Sequence, residues 1–265
     1  MYETLLEERC PSYSGILAGT AKGDCYFSKE EPPLLAVIYS WCVGGYGILA
    51  DRSQIHADAE GIAKIKQFLY GEVFPAIKEK GFEEFEFSVE DEELRNAVLE
   101  ALKGEKLEQE MEYSFRRGEK LEEQRTLPSE YQLVQVDEHF LAQVRAHQYK
   151  QEEMLLPRVN ASFQSDEDFL KNSLAIAVLY EETIVGICFG SARFHEYLVV
   201  DIKTDKNHRR KGIATAMTTA FVNACVDKKC VVQWDCVDSN DASKAVAKAC
   251  GFQPFKARKF YWFTF

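Results

Sequence analysis

The sequence predicts an α/β (α+β) protein built as two lobes, and three observations predict it. Strand-like runs alternate with amphipathic helical stretches along the chain. The polar, charged stretch from Arg116 to Pro128 separates two strand candidates and marks a boundary, giving lobes 1–125 and 126–265. The order of elements before that break is a shorter version of the order after it, which predicts an internal duplication, with two unrelated α/β lobes as the alternative.

In the first lobe, Gly61-Ile-Ala63 opens a helix running to about Lys80. A strand (Phe82 to Val89), a helix (Glu92 to Lys103), Gly104 and a strand (Leu107 to Arg116) follow. Trp41, Tyr46 and the Gly44-Gly45 turn read as hairpin and core features. In the second lobe, Tyr131 to Val136 reads as a strand, and Asp137 caps a helix reaching about His147. Another helix follows Ser165, with Asp166, Glu167 and Asp168 placed favourably in its first turn. Leu174 to Tyr180 and Ile184 to Ala192 flank a Glu181-Glu182-Thr183 turn as a hairpin, and Tyr197 to Thr204 is the next strand. After a basic segment, Ile213, Met217, Ala220, Phe221 and Ala224 mark a long helix. Val231 to Cys236 is a strand, Asp238 to Cys250 a helix closed by Gly251, and Phe260 to Phe265 a final aromatic strand.

Composition narrows the function classes. With 46% hydrophobic and 28% charged residues over 265 positions, the chain buries ordinary cores and is not disordered. The acidic start and the lack of any apolar run of about 18 residues argue against a secretory signal or membrane span and favour the cytosol. A formal charge of −11 opposes nucleic acid and anionic membrane as partners and favours cationic small molecules. The cysteines lie singly, with no C-x-x-C pair, so buried free thiols are expected and no metal site is.

The segment that carries chemistry is Arg209-Arg-Lys-Gly-Ile-Ala214, at a strand-to-helix junction. Free N–H groups at a helix N-terminus, backed by the helix dipole, suit a pyrophosphate. Gly212 has no Cβ to obstruct phosphate oxygens, Ala214 keeps the next turn small, and Arg209, Arg210 and Lys211 add charge. Taken alone, such a segment is also compatible with solvated basic residues on a turn.

These residues resemble the acyl-CoA-binding motif of the GNAT superfamily, Q/R-x-x-G-x-G/A, with Arg209, Gly212 and Ala214 at its fixed positions. Downstream, Asn240-Asp-Ala-Ser-Lys-Ala-Val-Ala-Lys-Ala-Cys-Gly-Phe252 resembles the family's N-x-x-S/A stretch ending in Gly-Phe. The resemblance implies a mixed, mostly antiparallel central sheet flanked by helices, with a second, smaller and degenerate GNAT-like lobe at the N-terminus. It also implies acetyl-CoA as cosubstrate and direct transfer to an amine-bearing acceptor. It places Ile202, Lys203, Thr204, Arg209, Arg210, Lys211, Gly212, Ile213, Ala214, Thr215, Asn240 and Ser243 around the cofactor, and backbone N–H groups near Ile202 to Thr204 as oxyanion donors.

For the base, Asp201 is the first candidate, with Glu196 and His195 at the start of the same strand as others. Asp201 is equally readable as a strand residue facing solvent or pairing with a cation. Many family members carry a tyrosine where this chain has Ala247, which leaves open Tyr261, a cysteine, an unassisted thiolate or a non-catalytic acyl-CoA sensor. Aminoacyl transfer from tRNA is disfavoured by the acidity. In the first lobe, His56-Ala-Asp-Ala-Glu60 precedes Gly61, and its carboxylates would repel a pyrophosphate, so that lobe is expected to cover the acceptor side instead.

Overall fold

The structure, a computed structural model, describes residues 3–122 and 126–265. The first half contains α1 (Pro11–Leu17), β1 (Gly23–Phe27), β2 (Leu35–Ser40), β3 (Gly45–Ala50), α2 (Ala59–Phe68), α3 (Phe74–Glu79), β4 (Glu84–Ser88), α4 (Glu92–Ala101) and β5 (Glu108–Arg117). The second half contains β6 (Tyr131–Gln135), α5 (Glu138–Arg145), α6 (Leu156–Ser162), α7 (Asp166–Asn172), β7 (Ala175–Tyr180), β8 (Thr183–Phe194), β9 (Tyr197–Thr204), α8 (Ile213–Asp227), β10 (Val231–Val237), α9 (Asp241–Ala249) and β11 (Gln253–Thr264). The expected lobe boundary falls at residues 123–125, outside the described residues.

All these strands join one mixed, mostly antiparallel sheet in the order β1-β2-β3-β4-β11-β5-β10-β9-β8-β7-β6. The order reads alike from both ends. On one side β3 runs parallel to β4, on the other β9 runs parallel to β10, and the two terminal strands of the halves lie between. Each of those strands has crossed over: β5 pairs antiparallel with β10, and β11 pairs antiparallel with β4 and β5. The halves therefore share one continuous sheet.

Two differences from the sequence reading have local causes. The last strand begins at Gln253 instead of Phe260, because the charged residues Lys256, Arg258 and Lys259 sit in a sheet with β5 and carry no apolar alternation. Helix α9 begins after Asn240, whose side-chain oxygen accepts from Ser243 N at 3.0 Å and so sets the N-cap two residues beyond Asp238.

Helices cover the sheet unevenly. On the face called the back here, α2 to α4 pack on the first half through Phe68, Ile77, Phe85, Phe87, Leu94 and Phe263, and α8 and α9 pack on the second through Met217, Phe221, Trp234, Ala247 and Phe252. On the front, α5 to α7 cover β7 and β8 through Phe140, Val159, Phe163, Phe169 and Phe189. Helix α1 lies across the junction, packing on β2 of its own half and on β8 and β9 of the other. The long helix α8 sits close to β8 because Gly186 faces it; a Cβ there would meet Met217 and Ile213. Each fully buried Leu, Ile or Phe in these clusters contributes about 1.5–3 kcal/mol.

Candidate active site

The site begins at the start of α8. Gly212 is its N-cap residue, in the left-handed region at φ 80°, and no side chain caps the helix. Every other described helix of eight residues or more begins with an acceptor: Asp58 for α2, Asp91 for α4, Asp137 for α5 and Asn240 for α9. The first N–H groups of α8 are thus left to an outside acceptor, with the positive end of the longest helix behind them. Nothing lies within 4 Å of where a Cβ on Gly212 would be, so the approach is open. Arg210, also left-handed at φ 63°, turns the chain into this position.

A cleft of about 500 Å³ opens there, lined by Ile202, Lys203, Thr204, Arg209, Arg210, Gly212, Ile213, Ala214, Thr215, Asn240 and Ser243 together with His208, Trp234, Ala242, Ala245 and Val246. The structure thus brings together all the cofactor candidates except Lys211, whose ammonium turns to donate to Tyr131 Oη at 2.8 Å. Tyr131 Oη also meets His208 Nδ1 at 2.9 Å, tying β6 to the loop before α8. Trp234, which the sequence reading did not single out, donates from Nε1 to Ser243 Oγ at 2.8 Å and forms a wall of the cleft. Its signal was present in the alternation of Val232, Trp234 and Cys236, which puts all three on the back of β10.

The cleft communicates with a gap in the sheet. Strands β9 and β10 pair only from Tyr197–Val231 to Val199–Gln233 and then separate. From Val200 to Thr204 the edge of β9 facing β10 has no strand partner, so its alternate N–H groups are available to another acceptor. A bulge between Gly190 and Ala192 on β8 lies opposite the point of divergence.

On the front of the gap lies Asp201, opposite Phe189 in the ladder and hence on the α5–α7 side. Its Oδ2 accepts from Arg158 Nε of α6 at 2.6 Å. Asp235, another residue that sequence reading passed over, projects to the same face from β10, two positions beyond Gln233. The turn between β2 and β3 spans the two sides. Cys42 packs on the α5–α7 core, its thiol pushed up by burial in a setting that includes Ser162, Asp201, Arg158 and Ser191. Val43 lies beside Val237 of β10, Glu112 of β5 and Arg258 and Phe260 of β11.

Other candidates lie elsewhere. His195 and Glu196 form the exposed turn between β8 and β9, and His195 Nδ1 meets Glu8 Oε1 at 3.1 Å. From there to Ile202 is roughly 23 Å along the strand, so the structure does not bring them to the cleft. Ala247 is fully buried under α9, and Tyr261 stacks on Phe87 in the core of the first half, outside the cleft lining.

The first half supplies its own comparison. At the start of α2, Asp58 Oδ1 accepts from Gly61 N at 2.8 Å, and the carbonyl of His56 occupies the space a Cβ on Gly61 would need. The helix terminus that matches α8 in order is therefore filled by the chain's own carboxylate and closed by its own backbone. Among the described residues, no group of His, Cys, Asp and Glu could hold a metal ion, and no helix is long and apolar enough to cross a membrane.

Comparison with known proteins agrees with this geometry. A GCN5-related N-acetyltransferase-like protein from Streptococcus suis 89/1591 superposes with a TM-score of 0.63 at 16% identity, covering 93% of this chain and 90% of that one. A tandem GNAT protein from the clavulanic acid biosynthesis pathway does so with a TM-score of 0.61 at 11% identity, covering 95% and 86%. The Bacillus subtilis (strain 168) protein named "Uncharacterized N-acetyltransferase YdfB" is 27% identical over 100 residues, a match spanning only 38% of each chain. The model of the family described as "GNAT acetyltransferase" matches residues 16–261, and the chain belongs to that family of acyltransferases.

Proposed function

We propose that the chain transfers an acetyl group from acetyl-CoA to a primary amine by direct transfer in a ternary complex. The observation that carries this reading is the uncapped N-terminus of α8, opening onto a cleft that leads to the gap between β9 and β10. In this reading acetyl-CoA, when bound, supplies an acyl thioester. The N–H groups of residues 212–215 and the side chains of Arg209 and Arg210 hold its pyrophosphate. Asn240, Ser243 and Val246 line the path of the pantetheine arm. The unpaired edge of β9 between Val200 and Thr204 donates to the carbonyl oxygen as it gains charge.

The acceptor approaches from the front, between the β2–β3 turn and α6. Asp201 takes the proton from the incoming ammonium, directly or through a water, so that a neutral amine attacks. Arg158 fixes one carboxylate oxygen, and Oδ1 makes no hydrogen bond among the described residues. No side chain in the tyrosine position protonates the leaving thiolate, and a thiol whose ordinary pKa is about 8.5 departs without one. A cytosolic location fits the free cysteines.

The test is release of CoA from acetyl-CoA across polyamines, aminoglycosides, amino acids and peptides, run beside Arg209→Glu with Gly212→Asp. Turnover with a large rise in KM for acetyl-CoA in the double variant is expected. Stabilisation by acetyl-CoA with no turnover on any amine would instead establish a non-catalytic acyl-CoA sensor, a reading that Ala247 favours.

A further inference from the structure

The central strands leave one part of the front face uncovered. Register puts Glu84, Glu86 and Ser88 of β4, Phe260 and Trp262 of β11, and Glu108, Glu110 and Glu112 of β5 on this face, while Phe85, Phe87, Tyr261 and Phe263 fill the core behind. Phe260 and Trp262 stack with centroids 5.3 Å apart and form a partly exposed aromatic floor. A row of carboxylates borders it on each side. Within the row on β5 successive glutamates lie about 6.8 Å apart, and the two rows are separated by roughly 9.6 Å, twice the strand spacing.

Most of this negative charge has no cationic partner among the described residues, although Glu110 Oε1 accepts from Ser239 N at 2.8 Å. Arg258 binds Glu112 at the inner end, but among the described residues Glu84, Glu86, Glu108 and Glu110 make no ion pair. The Glu86 carboxyl is held above its usual range by burial and then by the charges of Glu84, Glu112 and Glu110. Two hollows adjoin the floor. One, of about 410 Å³, is lined by Tyr39, Tyr46, Phe82, Glu83, Glu84 and Glu86. The other, of about 40 Å³, lies between Val43 and Phe260 and is lined also by Glu112, Arg258 and Ser88, which is 5% exposed and whose hydroxyl makes no hydrogen bond among the described residues. Val237, which lines this second hollow, follows Asp235 on the same face of β10.

We propose that the acceptor is an elongated, multiply charged cation of the polyamine type, laid along the Phe260–Trp262 floor between the two glutamate rows with one amine end reaching the β9–β10 gap. This rests on the acetyl-transfer reading and names its substrate class. Ammonium groups on propyl or butyl linkers match the recurrence of the glutamates, and the methylenes and charges both suit an aromatic floor. A basic peptide fits less well. Phe260 to Trp262 of β11 pair on both edges, with β4 and with β5, so an extended peptide cannot add to the sheet along the aromatic floor.

Two measurements on the full chain test this separately from acetyl transfer itself. Calorimetric titration with spermine in the absence of acetyl-CoA is expected to show saturable, salt-sensitive binding, weakened at least ~10-fold in Glu86→Gln with Glu110→Gln and in Trp262→Ala. Steady-state CoA release should rank spermine and spermidine above phenethylamine and a lysine-rich peptide, with the glutamate variant raising KM for spermine and leaving KM for acetyl-CoA alone. Spermine binding without turnover on any amine would sink acetyl transfer but keep the cation site. Turnover that favours phenethylamine or the peptide, or a KM for spermine unmoved by these substitutions, would overturn the site and leave acetyl transfer standing.

Discussion

Arg158 of α6 donates from Nε to Asp201 Oδ2 at 2.6 Å, joining the helices on the front of the sheet to the strand whose pairing opens at the cleft beside α8. The contact sets the carboxylate's direction, since Arg158 Nη1 is also held by the Met154 carbonyl at 3.0 Å. If Asp201 takes the acceptor's proton, Asp201→Asn keeps shape and the Arg158 contact but loses the base. Expected is a fall in kcat of ~100-fold or more with KM for acetyl-CoA unchanged. A variant whose kcat stays within about threefold of wild type in steady-state CoA release would assign Asp201 to holding α6 in place.

Gly212 permits a cleaner test of the phosphate site than a charge reversal. A Cβ there meets no atom, so Gly212→Ala adds no clash with the protein. Its left-handed φ of 80° costs roughly 1–2 kcal/mol for an alanine. Beyond that modest drop in Tm, the methyl stands where, in the proposed binding mode, phosphate oxygens would approach the α8 N–H groups. Affinity for acetyl-CoA is therefore expected to fall ~10-fold or more, measured by calorimetry, whereas Gly44→Ala at a comparable φ should leave it unchanged.

If α8 holds acetyl-CoA as proposed, the filled terminus of α2 limits the chain to a single cofactor. Equilibrium dialysis should reach one acetyl-CoA per chain, and Asp58→Ala should not add a second, because the His56 carbonyl still closes the terminus. That substitution instead removes the cap on Gly61 N, at a cost of about 1 kcal/mol in stability. A stoichiometry of two in either protein would show that the first half also binds.

Much of this site was legible because its determinants are local. A basic strand-to-helix turn, a glycine at the N-cap and an asparagine cap near thirty residues later are all readable from neighbours in the chain. The strand exchange was not. Whether β11 pairs with β10 or with β4 depends on partners far away in sequence, and Gln253 to Lys259 carries too many charges to announce a strand. The covering elements α1 and α6 were missed for a related reason. Each spans seven residues and begins at or next to a proline, too short for helical periodicity to emerge, and each owes its position to packing on β8. Asp235 was overlooked because only the divergence of β9 and β10 exposes it.

The Glu7 carboxyl is pushed up to about 7, first by burial and then by the charges of Glu90 and Asp91. The folded state thus holds this proton more tightly than the unfolded chain, where the ordinary value is 4.5. Its contribution to stability is fully present below about 4.5 and is lost as pH rises through about 7. Glu7→Gln, which keeps the neutral shape, should flatten the decline of Tm over that window and be the more stable protein at pH 8, by up to ~3 kcal/mol. Parallel pH–Tm curves for the two proteins would show that Glu7 does not titrate in this range.

Glu90, just beyond β4, accepts from both Lys256 and Arg258 of β11, and Arg258 also binds Glu112 of β5. All four side chains are largely removed from solvent, and burial together with Arg258 holds the Lys256 ammonium below its usual range. Glu90→Gln keeps the volume but leaves two cations sharing one carboxylate, at an expected cost of ~3–5 kcal/mol. The network ties a strand exchanged out of the second half to both strands of the first that flank it. The loss should therefore appear as one cooperative unfolding transition shifted to lower denaturant, reported alike by Trp41 and Trp234 fluorescence. Two separated transitions, with only the Trp41 signal moving, would mean that the halves fold as independent units despite the shared sheet.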